Sequence, residues 1–333
     1  MAELRTEARF PQVASGRGHY ESFFIRAFHP VEPVGTWIRY TVLKRPDQQP
    51  RGSLWLTLFD ASAADGPLAT KVTLDPGEVS GDPPYIRVGN AGSIADGVGR
   101  GVAGDASWEL SFSTAEPPLR HLPKPWMYRA PIPRTKLLSP YPAATFSGHV
   151  AIGGRRVELD GWPGTTGHNW GAQHAERWIW MHGEAFDGAD DGADRVWLDL
   201  GLGRIKLGPL TTPWTAAGAI SIDGERHALG GPAAARRTKI DEQPDSCRFA
   251  IPGDGLTIRG EVAAPRKDFV GWVYSDPDGG EHNTVNCSIA RMELTIEREG
   301  QAPRRLTTAH GAAYELGMRE TDHGMPIQPF PDP

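Results

Sequence analysis

Residues 162–184 gather four of the chain's eleven tryptophans and three of its eleven histidines into 23 of its 333 positions. The stretch runs Trp162-Pro163-Gly164, then His168-Asn169-Trp170-Gly171, His174, and Arg177-Trp178-Ile179-Trp180-Met181-His182-Gly183-Glu184. If the last run is a strand, alternation sends Trp178, Trp180, His182 and Glu184 to one face and Ile179, Met181 and Gly183 to the other. Two indoles, an imidazole and a carboxylate then follow one another about every 7 Å, an apolar wall ending in groups that move protons. Burial raises a carboxyl pKa, which makes Glu184 the candidate catalytic acid and His182 the second catalytic candidate. A purely structural hydrogen bond between the two is the competing reading. Trp178 and Trp180 are expected to line a substrate pocket.

Trp162 and Trp170, each flanked by glycines, either line the same pocket or plug a barrel end. His168 reads either as a substrate contact or as a ring that holds a turn beside Asn169-Trp170-Gly171. Near the N-terminus, Glu21 shares a strand face with Phe23 and Ile25. A carboxylate buried there needs a partner, and Arg39 on the next strand is the expected one; the pair reads either as an internal ion pair or as substrate-binding residues. His168, His174, His182 and Glu184 offer ligand types but no recognised zinc spacing, so no metal is expected. The acidic run Asp187–Asp194 lacks the glutamate that closes a twelve-residue calcium loop and reads as a solvated turn. Glycines 97, 99, 101 and 104 precede no helix and so make no phosphate cradle. No Gly-x-Ser-x-Gly elbow occurs, and no cofactor is expected.

The elements that must hold these groups are strands. With 40 glycines, 30 prolines, 23% charged and 39% hydrophobic residues, the chain reads as a turn-rich all-β protein. Alternating runs at 19–29, 37–43, 53–59, 107–113, 144–152, 175–184, 218–222, 256–262 and 287–297 are strand candidates. Gly153-Gly154 and Asp223-Gly224 have the chemistry of two-residue hairpin turns, and Asp278-Gly279-Gly280 can close a third. Residues 115–142, with eight prolines, are expected to cross the first domain as an ordered irregular stretch, with a second domain beginning at about residue 172. A proline-rich tail from Asp322 to Pro333 is expected to be loosely held. A net charge of −6 gives no electrostatic footprint for nucleic acid. No run approaches 18 apolar residues, so no membrane-spanning segment is expected. The start, Met1-Ala2-Glu3-Leu4-Arg5-Thr6-Glu7, lacks an apolar h-region, and a cytoplasmic location is expected. Cys247 and Cys287 read as reduced packing residues, their pairing left open.

Two blocks carry a resemblance. Gly18-His19-Tyr20-Glu21-Ser22-Phe23-Phe24-Ile25-Arg26-Ala27 with Trp37-Ile38-Arg39-Tyr40 is one. Gly161-Trp162 leading to Gly167-His168-Asn169-Trp170-Gly171 and Arg177-Trp178-Ile179-Trp180 is the other. Over residues 18–184 the chain resembles the hydroxyneurosporene synthase (carotenoid 1,2-hydratase)-like superfamily, which also holds relatives of tocopherol cyclase and fungal Diels–Alderases. The resemblance implies two tandem lipocalin-like antiparallel β-barrels, here 1–171 and 172–333, with ligand held in or between them. It also implies cofactor-independent hydration, cyclisation or cycloaddition of a hydrophobic isoprenoid, polyene or polyketide-like substrate near the domain junction. His168, Asn169 and Trp170 carry over as substrate-binding positions. The alternative is a non-catalytic lipocalin-like protein that binds a small hydrophobic metabolite, since one fold serves both. Oligomeric state is left open.

Overall fold

Paired glycine or Asp-Gly turns set the local register. Gly153 and Gly154 take φ values of 60° and 75°, and Asp223 and Gly224 take 55° and 77°. Positive φ at both central residues is the primed turn whose twist matches flanking strands. Ile152 accordingly pairs with Arg155, and Ile222 with Glu225. The computed structural model describes residues 6–81, 85–187, 196–207, 209–320 and 323–330, so residues 188–194 of the acidic run lie outside the described residues. Among the described residues there is no α-helix, only four short 3-10 turns. No helix there is long and apolar enough to cross a membrane.

Apart from a two-stranded ribbon, Lys206–Leu207 with Leu210–Thr211, the described strands form two curled antiparallel sheets. In the first, Leu68–Thr73, Arg51–Asp60, Val34–Lys44, His19–Phe28, Arg155–Gly171, Thr135–Ile152, Ala106–Ser113 and Val98–Ala103 lie side by side in that order. The second runs Glu225–Gly230, Thr215–Ile222, Trp197–Arg204, Arg177–Gly183, Arg304–Met318, Glu281–Glu297, Thr257–Ala263, Ser246–Pro252. Val270–Ser275 pairs with the start of Glu281–Glu297. Each sheet buries its own apolar face. Phe23, Ile25, Ile38, Leu54 and Trp108 fill the first, and Met181, Leu198, Leu200, Ile220 and Leu316 the second. Cys247 and Cys287 are free thiols buried in the second core. Burial pushes the Cys287 thiol up to about 12, so both act as packing groups.

Three expectations change. Residues 161–171 form no turn: His168-Asn169-Trp170-Gly171 belongs to the long strand Arg155–Gly171, paired residue by residue with His19–Phe28. The irregular crossing ends earlier than 142, because Thr135–Ile152 is a strand whose register shifts at Leu138/Tyr141 and Tyr141/Ala144 absorb Pro140 and Pro142. The tail is not loose where it is described. His323 and Met325 are buried, Gln328 N donates to Gly271 O at 2.9 Å, and Phe330 lies beside Trp272.

Candidate active site

The strand Arg177–Gly183 has the predicted alternation. Ile179 and Met181 enter the second core, while Trp178, Trp180 and His182 face the first sheet. Glycines make that approach possible. A Cβ at Gly317 would meet the Trp178 ring at 2.1 Å, and one at Gly167 would meet Phe24 at 2.0 Å. With Gly167 in place, Phe24 sits edge-on to Trp180 across the junction, ring centroids 5.0 Å apart.

The concentration of tryptophan and histidine in the sequence nevertheless divides between two faces. Residues opposite one another in antiparallel strands share a face. Phe23 faces His168 and Glu21 faces Trp170, so these groups point into the first barrel, as does Trp162. Asn169, opposite Ser22, is half-buried on the junction side. Trp162, His168 and Trp170 therefore do not join Trp178, Trp180, His182 and Glu184 in one pocket.

Within the first barrel Glu21 is enclosed. Its carboxylate accepts from Arg9 N on both oxygens, from Phe10 N at 2.9 Å and from His168 Nε2 at 2.7 Å, with His19 Nε2 at 3.5 Å. Burial alone raises this carboxyl, but the His168 and His19 contacts outweigh it and hold the pKa down at about 2. Burial lowers the His168 pKa against the pull of Glu21. His168 is stacked between Phe23, 4.0 Å away, and Trp170, 4.5 Å away. The expected Glu21–Arg39 ion pair does not form. Arg39 pairs with Phe24 and lies on the face of Ser22, opposite to that of Glu21.

His182 and Glu184 are both buried, but they meet a residue that sequence reasoning passed over. Arg26 Nη1 donates to His182 Nδ1 at 3.0 Å, and His182 Nε2 donates to Pro142 O at 3.0 Å. That pattern places the imidazole proton on Nε2 and the lone pair of Nδ1 on a cation. Arg26 also donates to Ser288 O at 2.8 Å. Burial brings the Arg26 pKa down to about 9, a shift that the Glu184 charge opposes. Glu184 thus faces a guanidinium, not the solely apolar surroundings expected of a raised acid. Asp199, also unforeseen, accepts from Ser139 Oγ at 2.5 Å, Trp180 Nε1 at 3.1 Å and His121 Nε2 at 3.2 Å. Burial would raise its carboxyl, but His121, His182 and Ser139 bring it below the usual carboxylate range.

The remaining junction groups surround His174. Its backbone N and its Nδ1 donate to Asp276 Oδ1 at 2.8 and 2.7 Å. The ring is stacked on Tyr20, centroids 3.8 Å apart, and on Trp178, 5.1 Å. Burial raises the Asp276 carboxyl, but the His174 bonds and the nearby His282 lower it overall. His282 Nδ1 lies 3.6 Å from Asp276 Oδ2, and burial drives its pKa down to about 4. Asp276 sits on the hairpin turn that Asp278-Gly279-Gly280 completes, with Asp276 N bonded to Gly280 O. The hairpin was legible in sequence, but a carboxylate 102 residues from His174 carries no spacing signal.

Tyr20, Arg39, Trp55, His174 and Tyr274 wall a pocket of about 30 Å³ between the sheets. It is far smaller than a hydrophobic substrate of the kind expected near the junction would need. A concavity of about 460 Å³ lies elsewhere on the first sheet, lined by Arg87, Ser93, Arg100 and Glu109, with no junction residue. His174, Asp276 and His282 place ligand atoms within 4.8 Å of one another. Tetrahedral zinc ligands with bonds near 2.1 Å sit only about 3.4 Å apart. The Arg319 guanidinium, 3.8 Å from Asp276 Oδ2, supplies positive charge there already. The trio fits an oriented histidine better than a metal.

No protein-family model matches the chain. An uncharacterised Mycobacterium tuberculosis protein is 26% identical over 316 residues, 94% of this chain and 91% of that one. Among solved structures, CghA with Sch210972 superposes at a TM-score of 0.52 and 12% identity, covering 92% of this chain and 89% of that one. Kievitone hydratase from Nectria haematococca gives 0.49 and 9%, over 90% and 88%. What the chain shares with CghA is the fold: two tandem lipocalin-like antiparallel barrels.

Proposed function

We propose that the protein is a cofactor-independent hydratase- or cyclase-type enzyme acting on a small hydrophobic substrate at the junction of two barrel domains, 1–171 and 172–333. The observation that carries this reading is His174, held by Asp276 and stacked between Tyr20 and Trp178 at the wall of the pocket between the sheets. An ionised Asp276 accepting from Nδ1 leaves the neutral ring's lone pair on Nε2, the arrangement of an oriented general base.

In a hydration, a water oxygen bonds to the electron-poor carbon of a polarised double bond as its proton passes to Nε2. The imidazolium so formed, stabilised by Asp276, returns a proton to the adjacent carbon, and the net change is addition of one water. A substrate hydroxyl in place of the water gives cyclisation by the same exchange. Trp178 and Trp180 supply apolar wall, while Glu184 and His182 position Arg26 rather than move the proton. A pocket of about 30 Å³ holds one or two waters, so substrate entry requires the facing side chains to part.

The test is native mass spectrometry of the purified protein after exposure to an extract of hydrophobic metabolites, followed by incubation. The expected result is a retained compound that gains one water or is converted to an isomer of equal mass. Retention without conversion would establish the binding-protein reading instead.

A further inference from the structure

We infer that the junction pocket takes the oxyanion end of an amphiphilic substrate, a carboxylate or phosphate head on an apolar tail, and that Arg39 receives it. This rests on the substrate site proposed above and specifies its ligand.

Arg39 is 6% exposed. Its Nε donates to Ser22 Oγ at 3.0 Å. Its guanidinium lies over three aromatic rings: Tyr274 at 4.2 Å, and Trp37 and Trp55 at 5.1 Å each. Nη1 is buried without a hydrogen-bond partner. No carboxylate of the described residues stands within ion-pair distance of Arg39, and the acids around it are engaged elsewhere. Glu21 points into the first barrel, Asp276 accepts from His174, and Glu315 accepts from Trp178, Tyr274 and Asn286.

Aromatic faces attract a guanidinium through their quadrupoles but carry no net charge. They orient Arg39 without neutralising it, and a buried cation lacking an anion is costly to maintain. The guanidinium also walls the pocket. Its fork of N–H donors matches the paired oxygens of a carboxylate or phosphate. The pocket of about 30 Å³ holds no hydrocarbon chain, so only the head group enters it, once the facing side chains part.

The experiment compares dodecanoate, dodecyl phosphate and dodecanol by quenching of tryptophan fluorescence at pH 8. The parent is expected to bind at least one of the two anions tenfold or more tightly than the alcohol, the tighter anion identifying the head group. Arg39→Met should abolish the preference and Arg39→Lys should keep part of it, with circular dichroism reporting the fold of each. Equal affinity for anion and alcohol in the parent, no binding of either anion, or a preference that survives Arg39→Met would overturn the inference. Should Arg39→Met fail to fold, the parent comparison and Arg39→Lys decide, and a Lys variant with no residual preference counts against it. Turnover is not measured, so a failure here leaves the enzymatic reading standing. An absence of catalysis likewise leaves the anion preference intact.

Discussion

Glu21 between His19 and His168, and Asp276 between His174 and His282, are the same three kinds of group placed in different surroundings. In the first, both carboxylate oxygens are satisfied, two backbone N–H groups contribute, and the trio is sealed beneath Phe23 and Trp170. In the second, Oδ1 takes both bonds from His174, Oδ2 has no hydrogen bond, and the histidine reaches a pocket wall. A buried carboxylate with both oxygens bonded is held as part of the structure, even though His19 Nε2 and His168 Nδ1 beside it lack hydrogen bonds. A partly satisfied one beside a pocket has capacity left for a ligand or a proton. Residue types alone do not separate a strut from a site; the accounting of each oxygen does.

The comparison can be broken most decisively at His174. His174→Gln keeps a polar side chain but removes the imidazole, and turnover of the identified substrate should fall roughly 10²–10⁴-fold with the melting temperature almost unchanged. A variant that turns over at the parent rate would place His174 with Glu21 among the struts.

Glu21→Gln should show the opposite pattern: near-normal turnover and a stability loss of about 3 kcal/mol at neutral pH, read by urea unfolding. The sign follows from linkage. The folded pKa of Glu21, about 2, lies below its unfolded value of 4.5, so its contribution is complete above 4.5 and is lost as pH falls from there through 2. The parent should destabilise over that window and the glutamine variant much less. Equal acid sensitivity would show that Glu21 is not held ionised.

His282 sharpens the contrast on the other side. Burial holds its folded pKa near 4, below the ordinary value of 6.5, so native stability falls as pH drops from 6.5 to 4, where only the unfolded chain takes the proton. His282→Asn should remove about 3 kcal/mol of that pH dependence. A variant with an unchanged profile would assign the slope to another group.

The smallest expected effect belongs to Glu184→Gln. With Arg26 as its neighbour, the loss of charge should change turnover by less than about tenfold while weakening the junction. A loss of about 10²-fold or more would return the acid role to Glu184.

Much of this architecture was legible before any coordinates. Hairpin turns at Gly153-Gly154 and Asp223-Gly224 are local, because positive φ at two adjacent positions is a property of those residues. The alternation from Trp178 to Glu184 is local too, since a strand's period is two whatever it packs against. Val98–Ala103 and Arg304–Met318 were not legible. The first is glycine-rich, and the second, Arg-Arg-Leu-Thr-Thr-Ala-His-Gly-Ala-Ala-Tyr-Glu-Leu-Gly-Met, has glycines that read as breaks but that serve close contact with Trp178 and Glu184. Local chemistry along the chain sets the all-β character, the turns and which residues share a strand face. Tertiary structure decided which face meets which neighbour: that Glu21 pairs with His168 and not Arg39, that Arg26 meets His182, and that Asp276 reaches His174. Those partners are separated by 102 to 156 residues, and only the pairing of strands and the stacking of two sheets bring them within hydrogen-bond reach.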